Sequence, residues 1–304
     1  MRSFAVIGKP LEHTLSPTLH NHIFALLGQE AHYKVWEVPP VALAEVDFQL
    51  REGLLSGVNI TLPYKSAFLP YLDDVDEDAK LVGAVNCVSV EHGTLLGHNT
   101  DITGIIYALK SNDFDPKGKS VLILGNGGSA RAAMGAFQHL GAKRISIAGR
   151  RAGAVDRLLD DFKDQHNDIQ LRAHRLSPEL DTSPYHLIVN ATPVGMWPEL
   201  ENTPLRKEQL HSSQTVFDFI YYPDKTYLQN LALEKDCQVI GGIDMFIGQG
   251  LASLEHWFPG LIYGKNEELN HKIDIPHLNS ILLSTLIDRE KARAGSHYAE
   301  IVDS

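Results

Sequence analysis

Short, wholly apolar runs alternate along the chain with stretches of helical spacing, and that alternation predicts a layered α/β protein with parallel strands. Ser3–Ile7 and Tyr33–Val38 read as the first two strands. Each leads into an amphipathic helix, the first from Ser16 to about Leu27 and the second near Leu43–Glu52. Ser16 is a candidate N-cap, with Pro17 at the first helical position. Gly57–Leu62 alternates apolar and polar side chains and breaks at Pro63, so it reads as a strand with one polar face. Glu91-His92-Gly93 is a hairpin signal leading into Gly93–Leu96. Val121–Leu124, Lys143–Ala148, Leu187–Asn190, Val216–Phe219 and Gln238–Ile240 read as buried strands. Helices are predicted from Ser129, over Gly153–Lys163 and over Met245–Trp257, and an added one over Asn279–Arg293. The residues after Lys163 read as a polar loop, and the polar end near Ser304 as frayed.

The stretch around which the rest is arranged is Ser120–Arg131. A strand buried on both faces runs straight into Gly125-x-Gly127-x-x-Ala130 and then into a helix. Gly125 permits a tight turn, Gly127 lets backbone amides approach a pyrophosphate, and Ala130 lets helix and strand pack closely. The helix N-terminus favours the anion. Strand, turn and helix in this order form a dinucleotide fingerprint rather than a bare glycine turn. About 120 residues precede it, enough for a separate domain.

Composition narrows the reading further. The 304 residues suggest two domains, and 43% hydrophobic with 21% charged residues is ordinary for a globular protein. With 27 basic and 38 acidic residues the formal charge is −11, which argues against nucleic acid or an anionic membrane as a partner. Cys87 and Cys237 are too few for a disulfide framework. Lys9 ends the first apolar run too early for a secretory signal, and no run approaches the roughly 18 apolar residues of a membrane span. The expectation is a soluble cytoplasmic protein, monomeric or homodimeric, acting on a small molecule. No metal is expected among the fifteen histidines. His20 and His22 do not share a helix face, His13 lies in a turn, and no His-x-x-x-His pair exists.

Asn59, Thr61, Lys65, Asn86, Thr100 and Asp101 all fall at or near strand ends, where open α/β sheets place groups that contact ligands. Any one of them could be an ordinary solvated or capping residue. Together they offer donors and acceptors for a polyhydroxylated substrate, and a lysine with a carboxylate able to hold it. At the end of the Lys143–Ala148 strand stand Gly149, Arg150 and Arg151, with no acidic residue before Asp156. An acidic side chain there would suit NAD, whereas an arginine accommodates the 2′-phosphate of NADP.

The motifs then fall into a recognisable series: Gly8-Lys9-Pro10 with Ser16-Pro17, Asn59-Ile60-Thr61-Leu62-Pro63-Tyr64-Lys65, Gly83-Ala84-Val85-Asn86, Asn99-Thr100-Asp101, and the glycine loop. Asn190-Ala191-Thr192-Pro193-Val194-Gly195-Met196, Asp218-x-x-Tyr221-x-Pro223-x-x-Thr226 and Gly242-x-x-Met245 with Gln249 follow. In this order, from residue 8 to about 257, the sequence resembles the shikimate dehydrogenase family. The resemblance implies a discontinuous N-terminal α/β substrate domain, residues 1–102 plus about 243–304. A Rossmann-like NADP-binding domain covers 103–242, and the active site lies in the cleft between them. It implies reversible reduction of 3-dehydroshikimate to shikimate with NADPH, in the aromatic amino-acid pathway.

Carried over by motif, Lys65 and Asp101 are the catalytic pair, and Thr14, Ser16, Thr61, Asn86, Tyr221 and Gln249 contact substrate. Thr14 and Ser16 bind its carboxylate through hydroxyls, with no formal positive charge. Cofactor contacts fall on Gly125, Asn126, Gly127, Gly128, Ser129, Ala130, Arg131, Gly149, Arg150, Arg151, Ala191, Thr192, Pro193, Met196 and Gly242. The chain departs from the family's usual residues at Thr14 (Ser), Cys87 (Thr), Gly149 (Asn) and Arg151 (Thr), and Cys87 reads as a packing position. Either Lys65 or Asp101 is a candidate proton donor. A quinate/shikimate or aminoshikimate-type dehydrogenase is an alternative. A nucleotide-sensing protein without catalysis is another, though it would have no use for a proton donor.

Overall fold

The structure, a computed structural model, describes residues 1–12, 14–163, 168–262 and 273–302, with side chains described as far as 289 except at 152. His13 lies outside the described residues, as do 303–304, on which part of the expected frayed end falls.

Two six-stranded sheets organise the chain. The first contains β1 (Arg2–Gly8), β2 (Ala31–Glu37), β3 (Gly57–Ile60), β4 (Asp74–Val75), β5 (Cys87–Glu91) and β6 (Thr94–His98) in the order β2-β1-β3-β5-β6-β4. β1 runs parallel to both β2 and β3, with Phe4 opposite Tyr33 and Gly57, and β5 is antiparallel to β3 and β6. The second contains β7 (Ser120–Leu124), β8 (Arg144–Gly149), β9 (Gln170–Arg175), β10 (Leu187–Asn190), β11 (Thr215–Asp218) and β12 (Gln238–Ile240). All its strands are parallel, in the order β12-β11-β10-β7-β8-β9. That is the doubly wound dinucleotide order, with its switch point between β7 and β10.

Strand periodicity sorts the cores. Phe4 and Val6 face α1 (Ser16–Leu26) and α8 (Gly242–Trp257), while Ala5 and Ile7 face α2 (Leu43–Arg51). In the second sheet Val121 and Ile123 face α5 (Gly128–His139) and α6 (Ala152–Phe162), while Leu122 and Leu124 face α7 (Tyr227–Leu233). Two helices connect the sheets: α4 (Thr100–Ser111), leaving the first, and α8, returning to it. They cross so closely that a Cβ on Gly104 would lie 2.5 Å from the Met245 carbonyl oxygen. α8 then enters the first core, where Trp257 donates to the Val88 carbonyl (3.0 Å) and its ring lies 4.6 Å from that of Phe4.

Several elements differ from the sequence reading. Ser16 is not the N-cap: Leu15 holds that position, and the Ser16 amide donates to the Thr14 hydroxyl (3.2 Å), so the capping oxygen comes from two residues upstream. α3 (Glu77–Val82) has only six residues, too few for a visible apolar stripe, although Asp76 caps it by accepting from the Ala79 amide (2.7 Å). β9 replaces part of the expected polar loop. It is an edge strand with mostly exposed side chains, so it lacks the apolar signature of its neighbours. α4 and α7 were not anticipated. α9 (Ile275–Val302) outruns the expected Asn279–Arg293 helix at both ends and buries Leu278, Leu282 and Leu286 in the core shared with α1 and α8. No helix among the described residues is long and apolar enough to cross a membrane.

His20, fully buried on α1, stacks on Tyr33 with ring centroids 4.3 Å apart, and neither ring nitrogen has a hydrogen-bond partner among the described residues. Burial pushes its pKa down to about 3, and the nearby Asn59 side chain opposes this only weakly. The unfolded chain takes up this proton below about pH 6.5, whereas the folded chain resists it. Stability from neutral His20 is therefore complete above that pH and is lost as pH falls toward 3, by roughly 1.4 kcal/mol per pH unit. His20→Phe is expected to flatten the acid limb of stability against pH, as measured by urea midpoints from pH 7 to 4. An unchanged wild-type slope in the variant would overturn the assignment.

Candidate active site

Lys65 follows a turn at the end of β3, closed by the Tyr64 amide donating to the Thr61 carbonyl (2.9 Å). Its ammonium is hydrogen-bonded to Asp101 Oδ2, and both side chains are largely withdrawn from solvent, 15% and 8% exposed. Asp101 lies in the first turn of α4, where the helix dipole favours a carboxylate. Its other oxygen accepts from Asn86 Nδ2 at 2.7 Å. Asn86 cannot flip, because its Oδ1 accepts from the Thr100 amide (2.7 Å) and hydroxyl (3.2 Å). The Asn86 carbonyl accepts from the Ile60 amide and Asn59 Nδ2, and Asn59 and Thr100 both reach Ser253 of α8. The lysine–carboxylate pair is thus held by a network that joins β3, Asn86 just before β5, α4 and α8. Ser253, some 190 residues from Asn59, gives no local sequence signal for this role.

A second corner forms where the loop after β1 meets the Asp218–Thr226 loop and α9. The Thr14 hydroxyl donates to Ser16 Oγ (3.1 Å). Burial raises the Tyr221 pKa, while the Leu15 backbone, the Arg289 charge and the Thr14 hydroxyl act against it. Arg289 Nη1 donates to the Thr14 carbonyl at 3.2 Å. Thr61 is half-buried beside Gly8. Gln249 stands on α8 against Gly104, with its amide turned back to the Phe246 carbonyl (2.8 Å).

Across from Lys65 stands the glycine loop. Among the described residues, a Cβ on Gly128 would meet one neighbour, Lys65 Cδ at 3.6 Å, and a Cβ on Gly127 would meet nothing within 4 Å. The amides at the start of α5 therefore open into the space beside the lysine. Gly125 has φ +108°, and a Cβ there would lie 3.0 Å from the Ala191 carbonyl oxygen and the Thr192 methyl, so a larger residue would be both strained and crowded. Asn126 approaches Gly149 at the end of β8. Asn190 Oδ1 holds the Thr192 amide (3.1 Å) and hydroxyl (2.6 Å), and its Nδ2 donates to Asp218 (3.0 Å). Burial pushes Asp218 up to about 6, against hydrogen bonds from Thr226, the Ile220 amide and Asn190. This buried carboxyl ties the Ala191-Thr192-Pro193 loop to the one carrying Tyr221. Met196 is exposed on the first of these loops, and Gly242 starts α8 beneath the Phe219 carbonyl.

The residues present fit a 2′-phosphorylated dinucleotide. No acidic side chain occupies the first turn of α5, and Arg150 and Arg151 stand exposed just past β8. Arg131 is turned elsewhere: it donates to the Val82 carbonyl and pairs with Asp161 at 2.7 Å, bridging α5 to α3 and α6. Asp76, His98 and His256 also come together, with ligand-capable atoms within 4.8 Å of one another, a grouping the sequence spacing did not reveal. Asp76 Oδ1 is engaged in capping α3, His98 bonds Asp76 (3.0 Å) and Ser89 (2.9 Å), and the two imidazoles stack face to face at 3.6 Å, so their ring planes do not converge on one ion.

A doubly wound nucleotide sheet whose glycine loop faces a fixed lysine–carboxylate pair is the architecture of a pyridine-nucleotide-dependent oxidoreductase. Residues 6–88 match the family model for the shikimate dehydrogenase substrate binding domain. The shikimate dehydrogenase (NADP(+)) of Bacillus cereus strain G9842 is 36% identical over 255 residues, covering 84% of this chain and 91% of that protein. A shikimate dehydrogenase crystallised with NADP+ superposes with TM-score 0.83 at 29% identity, covering 94% of this chain and 96% of that one. The Thermus thermophilus shikimate 5-dehydrogenase in complex with NADP(H) and shikimate does so at 0.80 with 32% identity, covering 93% and 98%. The chain belongs to the shikimate dehydrogenase family.

Proposed function

We propose that this chain is an NADP-dependent shikimate dehydrogenase, reversibly reducing 3-dehydroshikimate to shikimate in the aromatic amino-acid pathway. The observation that carries this reading is the Lys65–Asp101 pair, fixed by Asn86 and facing Gly128 across the cleft. The substrate unit is residues 1–102 with about 243–304, and the nucleotide unit is 103–242. When bound, NADPH supplies a hydride to the substrate's carbonyl carbon, and charge builds on the carbonyl oxygen. The Lys65 ammonium stabilises that charge, and the Lys65–Asp101 pair delivers the proton that completes the hydroxyl. In the reverse direction the same pair accepts it. Asn86 keeps Asp101 oriented, Thr61 and Gln249 hold substrate hydroxyls, and Thr14, Ser16 and Tyr221 hold the carboxylate end. Two buried free thiols, Cys87 and Cys237, are consistent with work in the cytoplasm, as a monomer or homodimer.

The test follows reduced-nicotinamide absorbance with shikimate or quinate, each crossed with NADP or NAD. Turnover confined to shikimate with NADP is expected. Preference for quinate or NAD would move the chain to the broader-specificity reading, and silence in all four combinations would sink the enzymatic one. In the same assay Arg150→Ala is expected to raise the KM for NADP about ten- to hundred-fold and to leave that for NAD nearly unchanged, since it removes charge-assisted bonds to the 2′-phosphate alone.

A further inference from the structure

The corner assigned to the substrate carboxylate contains a cation. α9 buries Leu278, Leu282 and Leu286 against the first sheet's core, and Arg289, one turn beyond Leu286, shares their face of the helix. Its half-buried guanidinium donates from Nη1 to the Thr14 carbonyl at 3.2 Å, and its charge is felt at the Tyr221 phenol. Arg289 therefore stands among the Thr14, Ser16 and Tyr221 groups that would receive an anion. No carboxylate among the described residues forms an ion pair with it. A guanidinium has five N–H donors, and among the described residues only the Thr14 carbonyl engages one of them, which leaves a planar pair to offer a carboxylate.

We propose that Arg289 binds the substrate carboxylate and sets this enzyme's preference for an anionic over a neutral substrate. The inference rests on reading the Thr14–Ser16–Tyr221 corner as the carboxylate end of the site. Hydroxyls alone would take a carboxylate out of water with its charge uncompensated. A guanidinium anchored by a leucine stripe and a backbone carbonyl supplies that charge with little side-chain freedom left to lose. The C-terminal helix thereby acquires a role that packing alone does not require.

The experiment compares kcat and KM for shikimate and for its neutral methyl ester in wild type, R289A, R289Q and R289K, with thermal unfolding of each variant. R289Q retains a donor for the Thr14 carbonyl and removes the charge. The expected result is a rise in shikimate KM of about ten- to hundred-fold in R289A and R289Q, with kcat changed only a few-fold. The ester's KM is expected to move little, so that the preference for the acid collapses, and R289K is expected to restore part of it. Equal weakening of acid and ester would show that Arg289 only braces the loop, and an unchanged shikimate KM in R289A would overturn the proposal outright. Wild-type turnover of shikimate in the same series tests the dehydrogenase reading separately. Were that turnover absent, calorimetric binding of shikimate to wild type and R289Q would still decide the role of Arg289: weaker binding to R289Q supports it, and equal binding ends it.

Discussion

Lys65→Ala is expected to lower kcat for shikimate oxidation by about 10²–10⁴-fold, the range contributed by a positioned proton donor. The KM is expected to change far less. In the proposed reaction the ammonium stands beside the oxygen whose charge exists mainly in the transition state, so its removal costs the reaction more than it costs binding. Among the described residues Lys65 is also the one side chain within 4 Å of a Cβ placed on Gly128, so the truncation opens space on the nucleotide side without disturbing a strand. Steady-state kinetics on the folded variant check this. A variant with kcat within a few-fold of wild type would falsify the assignment of Lys65.

Asp101→Asn is expected to come second, with kcat lowered by roughly 10²-fold or more. The amide keeps the shape of the carboxylate, but it removes the charge that holds the ammonium, and with its oxygen kept toward Asn86 Nδ2 its NH2 meets the Lys65 ammonium donor to donor. Asn86 cannot rotate to relieve this, because Thr100 engages its Oδ1 twice. The double variant Lys65→Ala/Asp101→Asn is expected to be scarcely slower than Lys65→Ala alone, since groups acting as one unit are lost once. Losses that multiplied would show that lysine and carboxylate act independently.

The second sheet was legible from the sequence because parallel strands buried on both faces leave uninterrupted apolar runs, as at Val121–Leu124 and Leu187–Asn190. β9, at the edge of that sheet, left no such run, and α3 ended before a stripe could form. In the candidate site, the groups around Lys65 were readable because each ends a strand or begins a helix near a recognisable turn. What the chain order concealed was pairing at long range. Ser253 meets Asn59 and Thr100, Arg289 meets Thr14, and Arg131, which as a residue of the glycine loop promised a phosphate contact, reaches across to Val82 and Asp161. Nothing local in sequence encodes such meetings, because they depend on where α8 and α9 return and on how α5 packs against α3 and α6.

That return also sets the order in which the molecule matures during synthesis. When the ribosome has released the chain as far as Ile240, every strand of the second sheet is available, and its core lacks only Met245 of α8. The first sheet is by then far older, yet Phe4, Val6, Leu19 and Ile23 still lack Trp257, Leu278 and Leu282 to cover them. A nascent chain therefore carries a nearly finished nucleotide half beside an unfinished one whose apolar face is open to chaperones or to neighbouring chains. On the proposed assignment, catalytic competence arrives only when the last helices have emerged, although Lys65 is translated within the first quarter of the chain.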